Sequence, residues 1–366
     1  MTRAGRRCLL LLCVALCACS KVSQSTTSRG ANAWTIPGVV RLTINTDVNS
    51  FDPIVAQLYA ENYVQEAVFS GLVKYDSAGD LIGDLATGVP SLANGGISKD
   101  GRTIIYHLRK NAVWQDGVPV TSADVAFTYN LIMDPKSNSP VESTYARIER
   151  IDTPDPHTAV LRLNAPFAPI LSQVFCAGGF GQVVPEHILA HSTDLVHDPF
   201  NQHPVGSGAY SLVRWDRGST IVLKANPRYF GGTPHVGEID ILIMPSEDTE
   251  LVSMEAHQLD VATQARPTQI GAFERISGVR VELAPTYVED FVTFNLTHPP
   301  FDDVRVRRAL TLALDRDRIA RTAFNGAATP ARSMMPPGNW AYDPDNGSPP
   351  FDPAACLLYT SDAADD

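Results

Sequence analysis

Few residues of this chain have both the type and the spacing for chemistry. His187 and His191 stand four apart in a segment expected to be a short helix after Pro185, with His197 and His203 downstream. Histidines one helical turn apart can hold zinc or nickel. Glu186 precedes His187, so the His-Glu-x-x-His order of a metalloprotease is absent, and no third ligand stands at a fixed spacing. Polar surface histidines account for the set. Ser207 lies in Gly206-Ser207-Gly208, but position 205 is Val, so the spacing of a Gly-x-Ser-x-Gly elbow fails and Ser207 reads as a turn residue. Asp and Glu are plentiful, yet no pair is marked out as an acid/base couple. There is no phosphate loop and no nucleotide fingerprint. No catalytic residue, metal site or cofactor is assigned, which leaves recognition rather than reaction.

The elements that would position a recognition site follow from the whole chain. Its 366 residues suit two lobes, and 44% hydrophobic with 19% charged residues describes a globular chain. The 27 prolines point to many turns. The formal charge of −11 disfavours nucleic acid and anionic lipid as partners. Residues 1–7 are basic and 9–18 are apolar, too short for a bilayer span and fitting the core of a secretory signal. The sequence Leu16-Cys17-Ala18-Cys19-Ser20 resembles a bacterial lipobox, in which Cys19 would become the first mature residue and carry the lipid. The Ser/Thr-rich stretch 21–33 reads as a flexible tether. Four of the six cysteines fall in or at the end of the signal, so no disulfide framework is expected.

The body reads as mixed α/β. Alternation predicts strands over 39–45, 103–109, 219–225 and 236–244, and a turn followed by a strand over 154–163. Helical spacing runs from 57 to 69, stopped by Gly71. Thr121 with Asp124 three residues on predicts a capped helix whose buried stripe is Val125, Tyr129 and Ile132. Asp303 caps a helix with the stripe Val306, Ala309, Leu310, Ala313 and Leu314, and Asp315 caps the next, ending at Gly326. Asp116-Gly117 makes a turn, and Gly206 and Gly208 let a neighbouring backbone approach.

Four segments in order then carry a resemblance. They are the first strand running to Phe51-Asp52-Pro53 and then Gly71-Leu72-Val73; Trp114-Gln115-Asp116-Gly117 running into Thr121-Ser122-Ala123-Asp124; Gly206-Ser207-Gly208-Ala209-Tyr210 with Asn226-Pro227-Arg228-Tyr229-Phe230; and Phe294-Asn295 leading to Pro300-Phe301-Asp302-Asp303-Val304-Arg305. Together they resemble the extracellular solute-binding proteins of family 5, the peptide and nickel receptors of ABC importers, over about residues 38–355.

The resemblance implies an α/β fold, a two-lobed periplasmic-binding-protein-like clamshell with an inserted subdomain in lobe one and an incomplete second lobe. Its parts would be a signal peptide (1–18), a lipid anchor and tether (19–37), lobe one (38–75 and 204–285), the inserted subdomain (76–203), the start of lobe two (286–355) and a tail foreign to the family (356–366). The implied function is capture of di- or oligopeptides in the interlobe cleft and delivery to membrane permease subunits, by a monomer held to the cell envelope through Cys19. Nickel or another non-peptide solute is the alternative within the class, and a secreted hydrolase the alternative outside it. The stretch Thr46-Asp47-Val48-Asn49 matches one that lines the cleft in relatives. Asp47 would receive an ammonium group, and the backbone of Val48 and Asn49 would pair with a peptide. Trp114 and Tyr129 are aromatic candidates from the inserted subdomain, with core packing as the competing role.

Overall fold

A computed structural model describes residues 32–361, apart from 57, 179–180, 264, 284–288, 336–341, 344 and 346. The expected signal, Cys19 and most of the tether lie outside these residues. The chain divides into a unit of residues 1–37 and a unit of residues 38–366. In the first, Thr35 donates from its backbone N–H and its hydroxyl to the carbonyl of Asn32. Everything below concerns the second.

Nine strands are described: β1 (Val39–Ile44), β2 (Val73–Tyr75), β3 (Leu81–Gly83), β4 (Thr103–His107), β5 (Ile148–Asp155), β6 (Thr158–Leu163), β7 (Tyr210–Asp216), β8 (Thr220–Ala225) and β9 (Glu238–Ile243). The helices are α1 (Tyr59–Val68), α2 (Ser122–Met133), α3 (Glu142–Tyr145), α4 (Ile170–Gln173), α5 (Glu186–Leu189), α6 (Glu247–Glu255), α7 (Ile270–Phe273), α8 (Val304–Ala313), α9 (Arg316–Thr322) and α10 (Pro353–Ser361). Three sheets result, ordered β1-β9-β8-β7, β2-β3 and β4-β6-β5. β1 and β9 run parallel with Val39 opposite Glu238, while the β7–β8 and β8–β9 pairs are antiparallel. On the other edge of β1, Asp260 accepts from the Arg41 backbone N–H and its Nε at 2.9 Å each, and Leu42 bridges to Val261.

Local sequence explains the elements that site positions depend on. In β8 the consecutive Ile221, Val222 and Leu223 are all buried, so both faces of this strand are covered. In β4 the buried Ile104 and Tyr106 alternate with more exposed neighbours, as a strand with one covered face requires. Helix α2 starts with the expected capping box, Asp124 accepting from the Thr121 backbone N–H at 2.7 Å. Asp303 and Asp315 cap α8 and α9 by accepting from Arg305 N and Arg318 N. Gly206 and Gly208 pass against the end of α1. A Cβ on Gly206 would sit 1.8 Å from Val68 O, and one on Gly208 2.6 Å from Ala67 O.

One large core spans the four-stranded sheet, α1 and the β4-β6-β5 sheet, with Trp114, Tyr106, Tyr145 and Phe51 among its fully buried side chains. A second, small core gathers Met254, Leu259 and Phe273 around α6 and α7. Three expectations are corrected. The helix after Pro185 ends at Leu189, so His191 is not on its face, and His187 instead pairs with Asp116 at 2.7 Å. Helix α9 stops at Thr322, ahead of Gly326. In α8 only Ala309 of the expected stripe is buried, joined by Leu312, while Leu310 and Leu314 face outward at 42% and 39% exposure. Residues Pro353–Ser361 form α10, which begins where Asp352 N donates to Leu312 O of α8.

Candidate functional site

The loop that follows β1 is built from backbone N–H groups gathered onto carboxylates. Asp47 accepts from its neighbour Val48 N at 2.9 Å, from the indole Nε1 of Trp215 at 3.0 Å and from Gly218 N at 2.7 Å. Its charge therefore ties the end of β1 to the tip of the β7–β8 hairpin. The Arg217 guanidinium lies 3.7 Å from the centroid of the same Trp215 ring, close enough for a cation–π contact. In the first turn of α1, the buried Glu61 accepts from Asn49 N, Ser50 N and Leu58 N at 2.7, 3.3 and 2.8 Å. Three charge-assisted bonds offset the cost of burying that carboxylate.

Deeper in the loop, Ser50 Oγ donates to Asn201 Oδ1 at 3.0 Å and accepts from Asp52 N at 2.9 Å. Asp52 is fully buried. Its Oδ1 accepts from Ile54 N, and its Oδ2 has no protein partner. Desolvation pushes the Asp52 carboxyl up to about 7, against the Ile54 bond, with the Asp198 charge adding to the rise.

The structure places the sequence candidates in different roles. Thr46 and Asn49 are exposed, Asp47 is partly covered and Val48 is buried. The N–H groups of Val48 and Asn49, expected to pair with a peptide, are taken by Asp47 and Glu61. Asn49 does face open space, a cavity of about 490 Å3 whose wall includes Ser50, Val55, Asn138, Asn201 and Arg217. Carboxamides and hydroxyls dominate this wall, and each can donate to or accept from a peptide group. Trp114 is fully buried in the large core, and Tyr129 is half-buried with its hydroxyl donating to Ile148 O at 2.8 Å. Both hold the inserted region together and neither lines this cavity.

A second cavity, of about 240 Å3, was missed by sequence reasoning. It lies between the end of α1, β2 and the segments around 177, 208 and 229. Lys74 Nζ sits 2.9 Å from the buried Asp84 and donates to the Tyr229 hydroxyl at 3.3 Å. Desolvation lowers the Lys74 pKa, but the Asp84 and Tyr229 contacts outweigh it and the net direction is up. Glu66 and Tyr75 complete the polar rim. These residues come from four separate stretches, and no spacing in the sequence links them. Among the described residues no three His, Cys, Asp or Glu side chains are grouped to hold a metal, and no helix is long and apolar enough to cross a membrane.

With this geometry in place, likeness to known proteins identifies the family. Residues 84–359 match the bacterial extracellular solute-binding proteins, family 5, middle part. The chain belongs to that family. Family 5 proteins are non-enzymatic receptors of transporters. Protein XP55 of Streptomyces lividans is 30% identical over 269 residues, which cover 74% of this chain and 47% of that protein. A probable di/tripeptide-binding protein 5 of Pseudomonas aeruginosa is 26% identical over 317 residues, covering 81% of this chain and 58% of that one. This family 5 chain thus spans about half the length of the curated relatives it matches. The fold of Campylobacter jejuni NikZ, solved with Ni(L-His), superposes with a TM-score of 0.78 at 23% identity, covering 90% of this chain and 64% of that one. The family 5 architecture is the mixed α/β, two-lobed fold of periplasmic binding proteins.

Proposed function

We propose that this chain is the solute-capturing part of an ABC importer receptor, taking di- or oligopeptides and delivering them to the membrane permease. The observation that carries the reading is the family 5 match over residues 84–359. A relative named for di- and tripeptides and the carboxamide-lined cavity beside Asn49 support peptide as the solute class. Main-chain groups of a ligand bind such a wall without demanding one sequence. Closure of the lobes would be driven by the tighter contacts of the closed form. In this reading lobe one comprises 38–75 and 204–285, the insertion 76–203 and the start of lobe two 286–355. The receptor acts as a monomer at the outer face of the cytoplasmic membrane or in the periplasm, held by a lipid on Cys19.

Mass spectrometry of small molecules that copurify with the gently isolated protein tests the solute class. Short peptides are expected; nickel, an opine or a sugar in their place overturns the peptide assignment, and turnover of any of them overturns the receptor. For the anchor, Cys19→Ser is expected to release the protein from the membrane fraction. Retention there counts against lipidation.

A further inference from the structure

The 240 Å3 cavity has a charge pattern that the fold does not use up. Lys74 pairs with Asp84, whose Oδ2 also accepts from Gly71 N at 3.1 Å, so that carboxylate is engaged on both oxygens. An ammonium carries three N–H donors, and Lys74 spends its contacts on Asp84 and Tyr229, keeping capacity for a further acceptor. Glu66 has the opposite surplus. Its Oε1 accepts one long bond, 3.4 Å from Asn62 Nδ2, and among the described residues no cationic side chain pairs with it. A carboxylate has about four lone-pair sites, so most of its capacity is open. Glu66 remains open to solvent, yet the cavity walls desolvate its carboxyl and raise its pKa, with the Lys74 charge opposing.

The surroundings hold these groups in place. The Tyr229 ring packs on Phe230 with centroids 4.5 Å apart, and the Arg109 guanidinium lies 5.4 Å from the Phe230 centroid. Gly178, at φ +92, brings its main chain so close that a Cβ there would lie 3.1 Å from Glu66 Oε1. The wall beside Glu66 Oε1 is therefore bare backbone, and Glu66 lines the cavity next to it. A volume of about 240 Å3 is room for one amino acid.

We propose that this cavity is a second binding site, separate from the Asn49 face, for a free α-amino acid as its zwitterion, the ligand ammonium on Glu66 and the ligand carboxylate on Lys74. Neither half alone suffices, since each charge of the ligand answers one surplus of the site. The inference does not depend on the peptide reading, because Glu66 and Lys74 line no part of the cavity beside Asn49.

Saturation-transfer NMR on the full chain tests it with L-alanine, ethylamine and propionate as probes. L-alanine is expected to bind, with ethylamine and propionate each at least tenfold weaker. Glu66→Gln, which leaves the Lys74–Asp84 pair intact, is expected to weaken L-alanine at least tenfold with an unchanged thermal melt. Lys74→Met should do the same. If that variant unfolds because Asp84 is left buried and unpaired, Glu66→Gln and the half-ligands decide alone. Absent L-alanine binding, equal binding of ethylamine and L-alanine, or unaltered binding by Glu66→Gln overturns the proposal.

Discussion

At the scale of single residues, two carboxylates of the same loop differ in how many N–H donors they gather and how deeply they are buried. Asp47 collects three N–H donors and serves as a strut between β1 and the β7–β8 hairpin. Asp47→Ala is expected to lower stability by about 2 kcal/mol in urea titration, the usual range for bonds to a charged acceptor. Asp47→Asn should cost less, because its side-chain oxygen still accepts. Asp52 has one donor and complete burial, and its carboxyl is pushed up to about 7. The folded state then holds a proton that the unfolded chain has already lost above its ordinary value of 3.8. Stability from this group is thus greatest at low pH and falls as pH rises from about 4 to about 7. At 1.36 kcal/mol per pKa unit the loss amounts to about 4 kcal/mol. Asp52→Asn is expected to remove that slope, so the variant gains on the wild type between pH 5 and pH 8. Parallel stability curves for the two proteins would refute it.

Among the elements, the termini and alternations that depend on near neighbours were legible in the sequence. The Thr121–Asp124 box, the Asp303 and Asp315 caps and the runs that became β1, β4, β8 and β9 all rest on contacts within a few residues or on one-sided burial. What was not legible has a common cause. β5 is largely exposed and β7 carries a bulge between Leu212 and Arg214, so neither presents a clean alternation. β2 and β3 are three residues each, too short for any period. The Glu66, Lys74, Asp84 and Tyr229 set is joined only by long-range packing, and the role of Asp47 as a strut depends on Trp215 and Gly218, far along the chain. Close approach of elements was readable at Gly206, and it supports a sharp contrast. Gly206→Ala drives a Cβ to 1.8 Å from Val68 O, so the variant is expected to fail to fold or to lose more than about 4 kcal/mol. Gly218→Ala sits at φ +71 with nothing within 4 Å, and is expected to cost only the left-handed penalty of about 1–2 kcal/mol. Thermal melts of the two variants side by side test whether steric contact or backbone conformation dominates at these glycines.

For the molecule as a whole, the decisive feature is the unequal size of its two cores. The large one draws on residues from Ile44 to Ile243, including both the four-stranded sheet and the insertion, so these parts share side-chain contacts and should unfold together. The parallel β1–β9 pair closes this core over the length of the intervening chain, a non-local contact whose closure entropy must be met before it stabilises. The small core has three buried side chains, Met254, Leu259 and Phe273, with partly buried neighbours such as Leu251 and Ile276 packed around them. With so few fully buried side chains, local opening there is far cheaper than global unfolding. Yet Arg41 bonds Asp260 directly, so the small core is tethered to the sheet edge even while it opens. Native-state hydrogen exchange should therefore show amides of α6 and α7 losing protection at low denaturant, with a small dependence on its concentration, while amides of β8 and β9 hold until the global transition. Weakening this link with Arg41→Met, with the Thr43–Glu250 and Thr43–Thr263 bonds left in place, should lower the α6 protection further and leave β8 unchanged relative to the global value. If α6 and β8 instead exchange with the same free energy and the same denaturant dependence, the two cores form one cooperative unit and the hierarchy proposed from their sizes is wrong.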